Sequence, residues 1–403
     1  RHVVVPLREE LSRTDLRVGT VVGADPDARC VRVRSSEGHV EELSYDHLIV
    51  ALGSVSRTLP VPGLAQHGMG FKSLPEAIAL RNRVLQSLEA AESLDDPAAR
   101  AAWLTYVFVG AGYAGLEGLA ELQDFAADVI ELYPRCRTQG MRWILVEARE
   151  RVMPEIPADL AAFATGELRG RGIDVRTGTT LEEVGPDHAL LSDGERVPTR
   201  TVVWTAGVKP NPVVERLGLP LTDGGRIAVD ATLRVEGRED VWAIGDAAAV
   251  PDPAKRGRVP SPPTAQHAIR QGRTVARNVA AALGHGRLRR FRYRTKGVFV
   301  DMGGNDAVAT TLGIKWRGRS AWWLARTYHL AMMPGLKRKL RLLVDWNVGL
   351  MFGRDASELG GLGHPPPLPE VPPPAGERAE QEAGGQSGDD TAEAGRRQAV
   401  ADR

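Results

Sequence analysis

The stretch Thr105-Tyr-Val-Phe-Val-Gly110-Ala-Gly112-Tyr-Ala-Gly115 most constrains what this chain can fold into. β-Branched and aromatic residues run directly into the pattern G-x-G-x-x-G, and a helical pattern follows. A strand, a tight glycine turn and a helix N-terminus in that order form a pyrophosphate site. Gly110 permits the turn, Gly112 lets the backbone approach the phosphates, and Gly115 lets helix and strand pack closely. The context favours a dinucleotide-binding unit over an ordinary βα turn.

Glu147 is predicted to complete this fingerprint. It ends the apolar run 141–146, where a carboxylate can accept hydrogen bonds from the adenosine ribose hydroxyls. The distance from Gly115 exceeds the usual spacing of roughly 20 residues, and an inserted, charge-rich stretch at 124–139 accounts for the excess. A carboxylate repels a 2′-phosphate, so NADH is favoured over NADPH. Arg149 could weaken that preference or could be an ordinary solvated charge.

Length and composition set the class of protein. A chain of 403 residues with 42% hydrophobic content can bury two substantial cores. The formal net charge of +1 implies no overall attraction to nucleic acid. Cys30 and Cys136 have no metal-ligand or C-x-x-C spacing, so no metal site is predicted, and this cysteine usage suits a reducing cytoplasm. No secretory signal and no run of about 18 apolar residues is present, so no transmembrane helix is predicted.

Further apolar runs along the chain are predicted to be strands that end in small residues. These ends lie at Ala51-Leu52-Gly53-Ser54, at Thr205-Ala206-Gly207 and at Gly245-Asp246. Small residues let a ligand approach the backbone closely, and the Asp246 carboxylate could accept hydrogen bonds from sugar-like hydroxyls. One such end could be a simple turn. Several of them around one glycine fingerprint indicate extended ligands that cross them.

The order of these motifs resembles the flavoproteins with two dinucleotide-binding domains, and most closely the type II NADH dehydrogenases. The motifs that carry the resemblance are the 51–54 strand end, the fingerprint with Glu117, Trp204-Thr-Ala-Gly-Val-Lys-Pro210, Ala243-Ile-Gly-Asp-Ala247, Pro263-Thr-Ala265-Gln266 and Lys296-Gly297. The resemblance covers roughly residues 1–357. It implies an α/β fold with two Rossmann-like domains, the NAD domain inserted in the FAD domain, and a C-terminal amphipathic helical segment.

The resemblance and the composition along the chain divide the sequence into segments. They are the first part of an FAD-binding domain at 1–103, an NAD-binding domain at 104–225, the second part of the FAD-binding domain at 226–319, a membrane-associating segment at 320–357 and a disordered, proline-rich and then polar tail at 358–403. The first part is expected to be incomplete at its N-terminus. The family opens with its own G-x-G-x-x-G for the FAD pyrophosphate, and this chain has none before residue 104.

The resemblance also implies two cofactors, FAD and NAD, and the residues that hold them. Those expected at FAD are Ala51, Leu52, Gly53, Gly245, Asp246, Ala265 and Gln266, the last two at the isoalloxazine ring beside the quinone pocket. Those expected at NADH are Gly110, Gly112, Tyr113, Gly115 and Glu147, with Ala206 and Gly207 orienting the nicotinamide against the flavin. The implied catalytic residues are Glu117 near the nicotinamide, Gln266, and Lys296 beside the flavin.

Arg270 departs from the family pattern. The family usually has a second glutamine four residues after Gln266, whereas this chain has Arg270 there and Gln271 one step later. Quinone contact at that position, and with it the electron acceptor, stays open. The absence of a C-x-x-x-x-C pair separates the chain from disulfide reductases of the same fold. The two cysteines also do not match the paired cysteines of sulfide:quinone reductases.

Residues 320–352 carry the pattern of helices that lie in a membrane interface. A first aromatic run is broken by Pro334-Gly335, and a second run places leucines on one face with basic residues on its flanks. The residues concerned are Trp322, Trp323 and Trp346, expected at the headgroup level, with Leu336, Lys337, Arg338, Lys339, Leu340, Arg341, Leu343 and Val344. The alternative is a helix packed on its own domain or on a dimer partner. The resemblance favours the membrane.

The sequence is therefore interpreted as an FAD-dependent NADH:quinone oxidoreductase, a non-proton-pumping NADH dehydrogenase of respiratory electron transport. It would pass hydride from NADH to FAD and electrons to a membrane quinone, as a peripheral protein on the cytoplasmic face of the cell membrane, and it could form a homodimer. Two alternatives stay open. Arg270 supports a soluble NAD(P)H-dependent flavin oxidoreductase with another acceptor. The missing N-terminal motif supports a non-catalytic NADH-binding fragment.

Overall fold

The computed structural model describes residues 4–255, 257, 259–295, 297–352 and 355–358. Lys296 and residues 359–403 lie outside the described residues, and with them nearly all of the predicted disordered tail. In the described part of the chain, no helix is long and apolar enough to cross a membrane.

The described secondary structure alternates between strands and helices. The helices are α1 (Leu7–Glu10), α2 (Leu64–His67), α3 (Leu74–Ser93), α4 (Pro97–Trp103), α5 (Tyr113–Val129), α6 (Pro134–Gln139), α7 (Ala158–Gly170), α8 (Ala265–Ala282), α9 (Gly318–Met332) and α10 (Leu336–Phe352). The strands are β1 (Thr20–Asp25), β2 (Cys30–Arg34), β3 (Val40–Ser44), β4 (Leu48–Val50), β5 (Ser54–Ser56), β6 (Gly68–Gly70), β7 (Thr105–Val109), β8 (Arg142–Glu147), β9 (Ile173–Thr177), β10 (Leu181–Val184), β11 (His188–Leu191), β12 (Arg196–Pro198), β13 (Thr201–Trp204), β14 (Val208–Pro210), β15 (Val241–Ala243), β16 (Gly297–Asp301), β17 (Ala307–Thr311) and β18 (Ile314–Arg317). Short 3₁₀ turns lie at Ile130–Leu132, Pro212–Arg216 and Gly245–Ala247.

A five-stranded parallel sheet with the order β6-β13-β7-β8-β9 is the centre of the first core. Its middle strand β7 is buried along its whole length, and its side chains alternate between two layers. Tyr106 and Phe108 pack with α3, α5 and α7, whereas Val107 and Val109 face the antiparallel β10–β12 sheet. The α/β class implied by the family resemblance is confirmed. The stretch at 124–139, predicted as an insertion, is largely helical because α5 continues into it and α6 follows.

A second core brings together two segments that lie far apart in the sequence. Strand β15 pairs in parallel with β4, so that Val241 lies beside Leu48 and Ala243 beside Val50. Trp242, between them, is completely buried, and helix α8 contributes Val275 to the same cluster. Strand β6, which precedes residue 104, pairs with β13 in the first sheet. The domain limits drawn from the sequence stay predictions.

The C-terminal part is an antiparallel sheet, β16-β17-β18, followed by two helices. Helix α9 ends at Met332 and α10 begins at Leu336, so the break predicted at Pro334-Gly335 is confirmed. The prediction that Trp322 lies at the headgroup level is wrong. Its side chain is buried against Ala307 and Ala309 of β17, because that face of α9 covers the small sheet.

Candidate functional site

Each of the three fingerprint positions requires glycine for a different structural reason. Gly110 has φ +105°, in the left-handed region that favours glycine. A Cβ on Gly115 would lie 1.9 Å from the Gly110 carbonyl oxygen, so α5 can approach β7 only if residue 115 lacks a side chain. A Cβ on Gly112 would meet no heavy atom within 4 Å. The loop therefore opens at Gly112, at the N-terminus of α5, which suits the approach of a phosphate.

The 205–207 strand end lies against this loop. The Thr205 hydroxyl donates to the carbonyl oxygens of Val109 at 2.9 Å and Gly110 at 2.8 Å. The backbone nitrogen of Ala206 would be 2.8 Å from a Cβ on Gly110. Gly207 has φ +95°. The structure thus brings Ala206 and Gly207 beside the fingerprint, as predicted, and adds Thr205 as the side chain that fastens them.

Glu147 lies at the end of β8, adjacent to the glycine loop. Its Oε2 accepts a hydrogen bond from the Ala111 N–H at 2.7 Å, and its Oε1 accepts one from the Arg149 N–H at 3.0 Å. A carboxylate has about four acceptor positions, so capacity for ribose hydroxyls remains. The Arg149 guanidinium lies 3.6 Å from Glu155 in an exposed pair. The Glu147 carboxylate therefore contacts the glycine loop directly, at the Ala111 N–H.

The other predicted strand ends meet in a second place. The Ile244 N–H donates to the Val50 carbonyl oxygen at 3.0 Å, which aligns the ends of β15 and β4. Strand β14, which follows Gly207, pairs antiparallel with β5, which follows Gly53. The β15–β4 and β14–β5 pairings therefore bring together the strand ends that carry Ala51, Leu52, Gly53, Ala206, Gly207, Gly245 and Asp246.

Asp246 and its turn are held in place by the side chains of Ser54, Lys72 and Gln271. The Ser54 hydroxyl donates to Asp246 Oδ2 at 2.6 Å, and Lys72 Nζ lies 3.6 Å from the same oxygen. The Gly245 N–H donates to the Gln271 side-chain oxygen at 2.7 Å, and Gln271 is only 2% exposed. The sequence shows Gln271 only as a glutamine one position away from the family pattern; the tertiary structure makes it the acceptor for the Gly245 N–H.

Gln266 lies in the first turn of α8, after Ala265, and its amide is engaged at both ends. The Tyr293 hydroxyl donates to Gln266 Oε1 at 3.1 Å, and Gln266 Nε2 donates to the Gly297 carbonyl oxygen at 3.4 Å. Arg270 donates to the Gln266 carbonyl oxygen at 2.9 Å, and its guanidinium lies 4.2 Å from the centre of the Tyr293 ring. Arg270, the departure from the family pattern, therefore stacks on an aromatic side chain beside Gln266.

Glu117 is half-buried on α5, and its Oε1 accepts a hydrogen bond from the Asp301 N–H at 3.1 Å. It lines a largely apolar cavity of about 360 Å³ together with Phe71, Leu80 and Phe125. The pKa of Glu117 is raised to about 7, mainly by burial; the Asp301 N–H lowers it, and the neighbouring charges of Asp301 and Glu121 raise it. An acid with this pKa can hold or release a proton near neutral pH.

Strand β16 contacts both Gln266 and Glu117. Gln266 contacts its first residue, Gly297, and Glu117 contacts its last, Asp301. Tyr113 begins α5 at the open side of the fingerprint. Lys296, predicted beside the flavin, lies just before this strand and outside the described residues.

The residues present fit both expected cofactors in kind. The free side of Gly112 and the N-terminus of α5 fit a dinucleotide pyrophosphate. A largely buried carboxylate at Asp246, beside small residues at the adjoining strand ends, fits the hydroxyls of a sugar-like chain.

Comparison with known proteins shows the family of the chain. The sequence profile of the family described as pyridine nucleotide-disulphide oxidoreductase matches residues 7–272. The type II NADH:quinone oxidoreductase Ndh of Mycobacterium tuberculosis is 30% identical over 349 residues, which cover 84% of this chain and 73% of that protein. Demethylphylloquinone reductase NdbB of Synechocystis is 30% identical over 350 residues, which cover 86% of this chain and 81% of that protein.

The fold is also that of a solved structure. NDH2 from Plasmodium falciparum, solved in complex with NADH, superposes with a TM-score of 0.76 over 84% of each chain, at 17% sequence identity. At that identity the likeness concerns the fold alone. With the match to the family profile and the two relatives at 30% identity, the chain belongs to the pyridine nucleotide-disulphide oxidoreductases and, within them, to the type II NADH:quinone oxidoreductases.

Proposed function

We propose that this chain oxidises NADH and passes the electrons through FAD to a quinone. The observation that carries the proposal is the placement of the Ala206-Gly207 strand end. It touches the glycine fingerprint at Gly110 on one side and continues into β14, beside the Ser54–Asp246 strand ends, on the other. A dinucleotide at the fingerprint and a second extended ligand at Asp246 would therefore meet at residues 206–207.

On the NADH side, the chain's task is to hold the dinucleotide by its phosphates and its ribose. The open backbone at Gly112 and the N–H groups at the start of α5 bind the pyrophosphate. Glu147, already fixed by the Ala111 N–H, accepts the ribose hydroxyls and disfavours a 2′-phosphate. These contacts orient the nicotinamide toward the 206–207 strand end.

On the flavin side, Asp246 and the small residues at 51–53 hold the second ligand. FAD, when bound, supplies the chemistry of accepting hydride and releasing electrons, so the protein needs no nucleophile of its own. Ser54, Lys72 and Gln271 fix Asp246 and its glycine turn before any ligand arrives. A site that is organised before the ligand binds spends less free energy on ordering its side chains during binding.

Proton movement is assigned to Glu117 and acceptor contact to Gln266. Reduction of a quinone to a quinol consumes protons as well as electrons. Glu117, with a pKa of about 7 and a cavity of about 360 Å³ beside it, can hold a proton at physiological pH. Gln266 presents a fixed amide at the start of α8. Lys296, as implied by the family, completes the proposed catalytic set.

Helix α10 is proposed to bring the enzyme to the surface of a membrane on its cytoplasmic side. Seven of its apolar residues are exposed, whereas Leu342 is buried; the exposed ones are Leu336, Leu340, Leu343, Val344, Val348, Met351 and Phe352. Trp323 on α9 is also exposed, whereas Trp322 is buried. Exposed apolar side chains flanked by Lys337 and Arg341 suit a helix lying in a membrane interface. A second copy of the chain is the alternative partner for this face.

A soluble acceptor is the second candidate, and Arg270 favours it. This guanidinium stacks on Tyr293 and donates to Gln266 at the position where the family usually has a glutamine. A cation at this position suits a negatively charged acceptor better than it suits an uncharged quinone.

The flavin content of the purified protein and its acceptor preference test the proposal. We expect bound FAD, NADH oxidation, and faster turnover with a quinone in anionic liposomes than with ferricyanide in solution. A charged hydrogen bond contributes about 1.5–3 kcal/mol, so Asp246→Ala should leave the protein largely without flavin. Asp223→Ala, in an exposed loop, is the matched control. Protein that binds NADH but never flavin would support the NADH-binding alternative, and exclusive use of ferricyanide would support the soluble one.

A further inference from the structure

The turn that follows β16 is fastened to helix α5 by a charged pair. The Arg171 guanidinium donates to the Met302 carbonyl oxygen and to the Asp124 carboxylate. The Gly304 N–H donates to the same carboxylate. The side chains of Arg171 and Asp124 are only 23% and 18% exposed. A partly buried ion pair that also satisfies backbone groups holds its partners more firmly than a solvated pair does.

Arg171 is itself fixed on both sides. It follows the last residue of α7 and donates to Gln123 Oε1 at 2.9 Å and to the Ala120 carbonyl oxygen at 3.1 Å. Gln123 in turn donates to the Arg171 carbonyl oxygen at 3.0 Å. The guanidinium carries five N–H donors in a rigid plane. Here they reach α5 and the turn at once, which a flexible lysine could not reproduce.

The backbone of the turn touches the helix at Gly303. A Cβ there would lie 2.6 Å from Asp124 Oδ2, 2.6 Å from Arg171 Nη1 and 2.9 Å from the Ala120 carbonyl oxygen. Gly303 also has φ +66°. The close contact is therefore possible only because this residue has no side chain.

Glu117 lies on the same face of α5 as Asp124. The two are seven residues apart, which is about 10 Å along a helix. Asp301, just before the turn, donates its N–H to Glu117 Oε1 at 3.1 Å, and its own Oδ1 accepts from the Gly303 N–H at 3.0 Å. The end of β16 thus runs along one face of α5, with the Arg171–Asp124 pair at one end and Glu117 at the other.

We propose that Arg171 is a positioning residue for Glu117. By tying the 302–304 turn to α5, it holds the Asp301 N–H on the Glu117 carboxylate and keeps that carboxylate covered. The inference rests on the proposed role of Glu117 in proton movement. Arg171 touches neither ligand site, so it acts only through the turn.

The groups that face Glu117 determine the sign of the expected effect. They are Asp301 on β16, Glu121 and Tyr113 on α5, and Arg81, which lines the same cavity from α3. Asp301 in turn faces Arg326 and His329 of α9 and Asp124 of α5. Burial is the largest cause of the raised pKa of Glu117. Releasing the turn lets water reach the Glu117 carboxylate and moves the Asp301 charge away from it, and both changes lower the pKa of Glu117. Loss of the hydrogen bond from the Asp301 N–H raises this pKa, but burial is the larger cause, so the pKa falls.

The test replaces Arg171 and follows Glu117 with and without turnover. Arg171→Met keeps the aliphatic stem and removes the donors, and Arg169→Met, two residues earlier and exposed, is the matched control. In the flavin-loaded enzyme, we expect amide hydrogen exchange at residues 301–304 to quicken at least about tenfold in Arg171→Met alone. The inflection near pH 7 in kcat, identified by its loss in Glu117→Gln, should move below about pH 6. KM for NADH should stay within about twofold, because the fingerprint is untouched.

A measurement without turnover separates this inference from the proposed function. The pH dependence of Tm that Glu117 causes, obtained by comparison with Glu117→Gln, should move to lower pH in the Arg171→Met background. An enzyme that fails to oxidise NADH would overturn the proposed function, and this measurement would still decide the role of Arg171. Faster exchange with an unmoved Glu117 inflection, or no change in either, would overturn the positioning role. If Arg171→Met does not fold, Asp124→Asn removes the charge of the pair at nearly constant shape and is judged by the same outcomes.

Discussion

The Glu147 carboxylate accepts a hydrogen bond from the Ala111 N–H at 2.7 Å, across the glycine loop that β7 and α5 enclose. The residue expected to recognise the adenosine ribose is thus also the residue that fixes the loop beneath the pyrophosphate. A replacement without an acceptor changes both functions. An amide in its place removes the charge and keeps one acceptor for the Ala111 N–H, at the cost of the second acceptor that Glu147 offers to the Arg149 N–H.

Glu147→Gln should narrow the preference for NADH over NADPH. The carboxylate repels a 2′-phosphate, so its removal should change the ratio of the two kcat/KM values by about tenfold, or about 1.4 kcal/mol. Steady-state kinetics with both donors measures this change. Glu150→Gln, an exposed carboxylate three residues further on, serves as the control. Equal kcat/KM values in the unmodified enzyme would contradict the assigned role of Glu147.

Alanine at the second and third glycines of the fingerprint should separate binding from stability. A Cβ at Gly112 meets no protein atom, and the residue has φ −78°, so Gly112→Ala should fold normally and raise KM for NADH by about tenfold or more. A Cβ at Gly115 would collide with the Gly110 carbonyl oxygen, so Gly115→Ala should lower the free energy of unfolding by about 1–3 kcal/mol. Thermal unfolding and NADH kinetics of the two variants measure the predicted changes in stability and in KM. Similar stability of the two variants would refute the packing argument.

Glu117 should make stability depend on pH. Its pKa is raised in the folded state, so its contribution to stability is complete below its ordinary pKa and is lost as pH rises toward about 7. Relative to the native protein, Glu117→Gln should therefore become more stable between pH 5 and 8, by up to about 3 kcal/mol. Tm measured across this range provides the comparison. A constant difference would mean that Glu117 titrates normally.

Binding to anionic liposomes should depend on the exposed face of α10. Leu340 and Val344 are 55% and 58% exposed, and burial of each side chain contributes about 1.5–3 kcal/mol, so replacing both with serine should weaken binding by at least about tenfold. Raised salt should weaken it further through Lys337 and Arg341, since each basic residue contributes about 1 kcal/mol at an anionic surface.

Leu312→Ser with Ile314→Ser is the control for exposed apolar area. These residues are 77% and 57% exposed but lie at the β17–β18 turn. Liposome sedimentation measures the membrane binding of both double variants. An equal loss in the control pair would mean that binding is not specific to α10. No binding of the unmodified protein at low salt would make α10 a helix that packs on another protein.

Several conclusions required no tertiary information. The tight turn at Gly110 and the close packing at Gly115 followed from the sequence, because strand, turn and helix are contiguous and the geometry of a glycine turn is local. The break between α9 and α10 followed from Pro334-Gly335 for the same reason. The strand end before Gly245-Asp246 also followed from the sequence, because the apolar run of β15 stops at small residues.

The contacts that complete the site depended on the tertiary structure. The Ser54–Asp246 and Asp301–Glu117 hydrogen bonds join residues 192 and 184 positions apart, and no sequence pattern specifies which distant donor meets which acceptor. Trp322 and Trp323 illustrate the same limit. Adjacent helical residues point about 100° apart, so the sequence marks both as candidates for a membrane. Only the packing of α9 on β17 decides that Trp322 is buried and Trp323 remains exposed. Local backbone conformation is determined by neighbouring residues in the sequence, whereas the burial of a side chain depends on which distant parts of the chain pack against it.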